Sequence, residues 1–129
     1  VSPLDLLLVS LGGGVGAALR FWLDGAVKAR VGRGPLGGFP VGTLVINVSG
    51  SLVLGLLTGA GESGALSLPM VAVLGTGMMG GYTTFSTASV ETVQLLRSGK
   101  TRTAVLNGLG MLVVSVGAAA LGLLIGRNT

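Results

Sequence analysis

Neither cysteine nor histidine occurs among the 129 residues. Disulfides, thiol nucleophiles, thiolate or imidazole metal sites and an imidazole base are therefore all excluded. Acid is nearly as scarce, with Asp5, Asp24, Glu62 and Glu91 as the four carboxylates, each near the end of an apolar segment or between two of them. No carboxylate pair or triad for acid–base work can be built from residues so placed, and the chain is not expected to be an enzyme. Aromatic residues make up 4% of the chain and charged ones 9%. Eight Lys and Arg give a net charge of +4, yet they flank apolar segments and are not interleaved with aromatics. That pattern does not describe a nucleic-acid surface.

What the chain has in quantity is apolar surface and glycine. Half its residues are hydrophobic, 25 are glycine, and the mean hydropathy is +0.87. Stretches close to the roughly 20 residues needed to cross a hydrocarbon core run at about 4–23, 41–60, 66–96 and 103–126. These predict an all-α membrane protein of four transmembrane helices, organised as a single domain over 1–129. The first stretch is too long for a signal peptide and lacks its basic flank and small-residue cleavage site, so it is expected to remain as a span. Lys28, Arg30 and Arg33 fall between the first and second spans, and Arg97, Lys100 and Arg102 between the third and fourth, against Arg127 alone on the other side. The positive-inside rule then predicts both of those connections in the cytoplasm and both termini outside.

The spans carry polar residues in ordered places. Gly12 and Gly16 stand four apart on the first, a small-residue face for close helix contact. Arg20 lies one turn on, near enough to the span's end to snorkel or to sit at the entrance of a permeation path. The second span places Thr43, Asn47, Gly50 and Ser51 on one stripe, where the Asn47 amide either cements two helices or donates to a dehydrated anion. Asn107, Met111 and Ser115 recur at i+4 steps on the fourth, for interhelical hydrogen bonding or pore lining.

Most informative is Gly80-Gly81-Tyr82-Thr83-Thr84-Phe85-Ser86-Thr87, in the middle of the third span. A glycine pair loosens a helix, and hydroxyls at this depth need protein or a conduction path around them. Two helical pieces are predicted, 66–79 and 86–96, with Glu91 toward the cytoplasmic end of the second. The glycines are read as the point of unwinding, which would expose carbonyls suited to a cation. The alternative is an unbroken helix whose hydroxyls bond back to carbonyls one turn earlier.

GGGVGAALRF, GTLVINVSG and GGYTTFSTASVE, in this order on spans one to three of four, resemble the CrcB/Fluc family of fluoride channels. The resemblance covers nearly the whole chain. It implies a bacterial plasma-membrane channel that lets cytoplasmic fluoride leak out passively, built as an antiparallel dimer with two pores at the subunit interface. It implies a central structural sodium ion on backbone carbonyls at the third-helix break, here those of Gly80 and Thr83. It places Asn47, Phe85, Ser86 and Thr87 along the anion pore, with Thr43 and Ser115 as further lining and Arg20 and Glu91 at the entrance or vestibule. Fluoride then needs hydrogen-bond donors and the positive edge of an aromatic ring in place of its water.

One position departs from the family pattern: TTFST is usually followed by a second phenylalanine, where this chain has Ala88. Together with the charge bias, which commits every copy to one orientation, this makes a heterodimer with an oppositely biased paralogue the expected partner arrangement over a homodimer. Two other readings remain. One is a four-helix proton-coupled drug exchanger, which would need a titratable carboxylate deep in the membrane, and the other is a non-conducting partner subunit.

Overall fold

The computed structural model describes residues 2–31 and 40–129, so Arg33 lies outside the described residues. Four helical passes are present, the third of them broken. Helix α1 spans Pro3–Val31 and opens with a reciprocal cap, Ser2 Oγ accepting from the Asp5 amide and Asp5 Oδ2 from the Ser2 nitrogen. Helix α2 spans Val41–Ser63 and ends at Gly64, whose φ of 85° is the left-handed closure that glycine adopts without steric cost. Helix α3 is one continuous helical run, residues 68–82, started by Pro69 and a Ser67 cap and wound as a π-helix over Ala72–Met79. Helix α4 spans Phe85–Arg97. After a turn through Gly99, helix α5 runs over Thr101–Arg127, with a short π-helical stretch at Leu106–Gly110.

Helices α1, α2 and α5 are each long and apolar enough to cross a membrane, whereas α3 and α4 share one crossing between them. The chain is a multi-pass membrane protein. Its leucines and valines largely point outward, and its few buried apolar side chains include Ile46, Met79, Leu95 and Met111. Burial of large side chains cannot organise such a fold, because lipid competes equally for them. Glycine seams do. Gly55 and Gly59 of α2 lie against the backbone of α5 at Ala119 and Leu123, while Gly122 and Gly126 of α5 lie against α2 at Leu52 and Leu56. A Cβ added at Gly59 would stand 2.7 Å from the Arg127 nitrogen, so two backbones touch there. Beyond this seam Glu62 pairs with Arg127.

The same device joins α1 to α3. Gly12 meets the Val73 carbonyl, where a Cβ would be 2.8 Å away, and Gly77 meets Val9 in return at 2.7 Å. Gly16 and Gly81 complete the seam against Met78 and Gly13. The reading of Gly12 and Gly16 as a packing face therefore holds. The reading of the glycine pair does not: Gly80 is helical (φ −61°, ψ −40°) and α3 continues through Tyr82. Gly81 is small so that α1 can approach, and the break lies beyond it.

Candidate functional site: a clamped helix break facing a polar groove

Between α3 and α4, Thr83 and Thr84 leave the helical path, both in extended conformations (ψ 159° and 122°). What holds them is a side chain from another helix. The Asn47 amide of α2 pairs with both backbone groups of Thr84: Oδ1 accepts from the Thr84 N–H at 2.8 Å, and Nδ2 donates to the Thr84 carbonyl at 2.8 Å. Its remaining N–H points to the Met111 sulfur at 3.2 Å. Of the two readings left open for Asn47, the helix-joining one describes these contacts, and the residue lines a groove as well. Gly50, one turn along α2, leaves room for Tyr82 and Thr83, and the Tyr82 and Ser49 hydroxyls share a hydrogen bond of 2.9 Å.

The break redistributes backbone partners. A continuing helix would turn the Thr84 amide onto the Gly80 carbonyl, but that amide is bound to Asn47. The Thr87 amide, which would face the Thr83 carbonyl, is bound instead to Thr84 Oγ1 at 3.2 Å as the cap of α4. Gly80 and Thr83 thus lose their i+4 donors, leaving hard oxygen acceptors of the kind a small cation takes. Among the described residues no group of three acidic side chains is placed for a metal. Hydroxyls also bond back one turn, as in Thr83 to Met79, Ser89 to Phe85 and Thr92 to Ala88, so back-bonding accompanies the break without preventing it.

In front of the break lies a groove of about 570 Å³ between α2, α4 and α5. Asn47, Thr83, Phe85 and Ser115 line it, as do Thr84, Thr92 and Asn107. Phe85 opens α4 and is 81% exposed, presenting its ring outward. Ala88 occupies the groove wall one turn further on. Ser86 and Thr87 are exposed but face away from this groove, and Thr43 is buried at 3% exposure away from it. Arg20 is half-buried on α1, and Glu91 is half-buried on α4 with one carboxylate oxygen enclosed and lacking a partner. At the same end Lys28 is held by Asp24 at 2.9 Å. The Thr92–Asn107 contact had a signal in sequence only on its α5 side, as the polar i+4 series; nothing in the sequence marks Thr92 as its partner.

The sequence model of a family described as CrcB-like protein, Camphor Resistance (CrcB), matches residues 7–123. This chain belongs to the CrcB family. Several relatives align along most of their own length. The fluoride-specific ion channel FluC 1 of Leifsonia xyli subsp. xyli is 48% identical over 126 residues, covering 98% of this chain and 89% of its own. FluC 2 of Cutibacterium acnes is 46% identical, covering 97% and 99%. FluC of Syntrophotalea carbinolica is 43% identical with the same coverage.

The clamp generates a stability prediction. Asn47→Leu leaves the Thr84 N–H and carbonyl unpaired in a nonaqueous interior, at about 1–3 kcal/mol for each group. Thermal unfolding in detergent should shift down by several degrees, and amide exchange at Thr84 should accelerate. A variant as stable and as protected as the wild type would show that the clamp does not hold the break.

Proposed function

We propose that the chain is one subunit of a fluoride-selective channel that exports cytoplasmic fluoride passively across the bacterial plasma membrane. The observation that carries this reading is the groove at the clamped break, where hydroxyls, an amide and an aromatic edge converge without a basic side chain in the lining. Relatives that match it end to end are named fluoride-specific channels. The whole of 1–129 is read as one transmembrane channel domain.

Fluoride is small and strongly hydrated, so a path through hydrocarbon must replace its water with N–H and O–H donors. A fixed cation in the path would bind too tightly for release. Asn47 and Ser115 are assigned as polar lining of the groove, Ser86 and Thr87 as lining on the outward face of α4, Phe85 as the aromatic edge, and Arg20 and Glu91 as residues of the entrance, while Thr43, buried away from the groove, is not assigned to the lining. In a single chain Phe85, Ser86 and Thr87 face outward, which suits a pore completed by a second subunit. The carbonyls of Gly80 and Thr83, deprived of their helical donors, are the assigned ligands of a structural sodium ion. Such an ion would supply a fixed positive charge that holds the broken helices of two subunits together.

Liposomes loaded with fluoride test this directly. Reconstituted with itself or with a partner subunit, wild-type protein should release fluoride and retain chloride, and Phe85→Ile should lower release by at least tenfold while leaving the oligomer intact. Equal release by Phe85→Ile would remove that ring from the pore, and flux that requires a proton gradient would point to an exchanger.

For the partner we propose a paralogue of opposite charge bias in an antiparallel heterodimer. The bias of Lys28, Arg30, Arg33, Arg97, Lys100 and Arg102 against Arg127 commits the chain to termini outside, so a copy of itself would not be inserted in the opposing direction. Ala88 then removes an aromatic from one pore, while Phe85 still serves the other. A non-conducting role for this subunit is the limiting case. Cysteines placed at Ser2 and Asn128 should label from outside only. Labelling from both sides would establish dual insertion and make a homodimer sufficient.

A further inference from the structure

Asn107 is completely buried, at 0% exposure, and among the described residues the other buried polar side chains are the threonines Thr43 and Thr84. Its amide orientation is fixed by the network around it. The Thr92 hydroxyl donates to the Ala88 carbonyl at 2.8 Å and so can only accept from Asn107 Nδ2, also at 2.8 Å. Asn107 Oδ1 is left enclosed with no donor. A leucine at this place would avoid that orphaned oxygen, so packing gives no reason for an amide here. The side chain also sits on the π-helical stretch Leu106–Gly110, an irregularity that re-aims side chains and is frequent at functional sites.

Position explains what the contact does. Helix α4 is held at its start by Asn47 through Thr84, and along its length it packs on the first part of α5. Thr92 lies seven residues after Phe85, two turns along the same face, and both line the groove with Ala88 and Ser89 between them. A rotation of α4 allowed at Thr92 is therefore passed directly to Phe85.

Resting on the fluoride-channel reading above, we propose that Asn107 is a positioning residue for anion selection. Through Thr92 it fixes the rotation of α4, and with it the direction in which Phe85 and the neighbouring hydroxyls meet the anion. A helix free to roll presents a wider and less regular site, which admits chloride as well as fluoride.

The test compares wild type, Asn107→Leu, Thr92→Val, the double variant and Thr92→Ser in the oligomer in which the wild type conducts. Fluoride and chloride release are measured from liposomes, with amide exchange over residues 85–97. Asn107→Leu and Thr92→Val should each lower the fluoride-to-chloride ratio by roughly threefold to tenfold, the worth of one hydrogen bond. The double variant should be no worse than either, exchange should rise over 85–97 alone, and Thr92→Ser should restore the wild-type ratio. An unchanged ratio in folded variants, multiplicative losses in the double variant, or unchanged exchange over 85–97 would overturn the role of Asn107. Because Thr92→Val preserves side-chain volume, it reports even where Asn107→Leu does not assemble. A wild type that passes no fluoride would overturn the proposed function and this role together.

Discussion

A residue that leaves a helix inside hydrocarbon must find hydrogen bonds for its N–H and C=O elsewhere, and here one side chain supplies both for Thr84. Asn47 offers an acceptor and a donor at 2.8 Å each, the same pair that a neighbouring strand would offer. With both backbone groups of Thr84 satisfied, the chain can stay extended over two residues and restart as α4 under its own Thr84 cap. The exposed Phe85, the freed carbonyls of Gly80 and Thr83 and the groove before them all follow from this local exchange of partners.

The clamp depends in turn on how closely the helices approach. An asparagine side chain is short, so α2 must lie against the break for its amide to reach. Gly50 provides that clearance at Tyr82 and Thr83, while the seam of Gly55, Gly59, Gly122 and Gly126 fixes α2 on α5. Met111 of α5 then touches the back of the Asn47 amide. Glycine in this chain is chiefly a packing residue, worth its conformational cost because backbone contact replaces the hydrophobic drive that a bilayer removes.

This explains which features could be read from sequence. Span number, the all-helical class and the broken third helix were legible because hydropathy and the Gly-Tyr-Thr-Thr-Phe cluster are local signals. The break expected within residues 80–87 lies at Thr83 and Thr84, but the unwinding expected at Gly80 and Gly81 does not occur. Both glycines stay helical, Gly81 lying against the α1 backbone at Gly13, and the extended residues are threonines whose conformation is set by a residue 37 positions away. Asn107 and Asn47 stood out as polar residues within apolar runs. Which helix each would hold depended on tertiary pairing that no spacing encodes, and Thr92, an ordinary helical threonine in sequence, gained its importance only from the residue opposite.

The account turns on Thr84 being extended and paired with Asn47 in a bilayer. Magic-angle-spinning NMR on protein labelled with ¹⁵N at threonine and ¹³C at asparagine would measure this pairing. A strong transfer from the Thr84 amide nitrogen to the Asn47 side-chain carbonyl carbon is expected, as the 2.8 Å N–H to Oδ1 contact requires, together with extended-backbone shifts at Thr83 and Thr84. Helical shifts at both threonines and no transfer to Asn47 would contradict it.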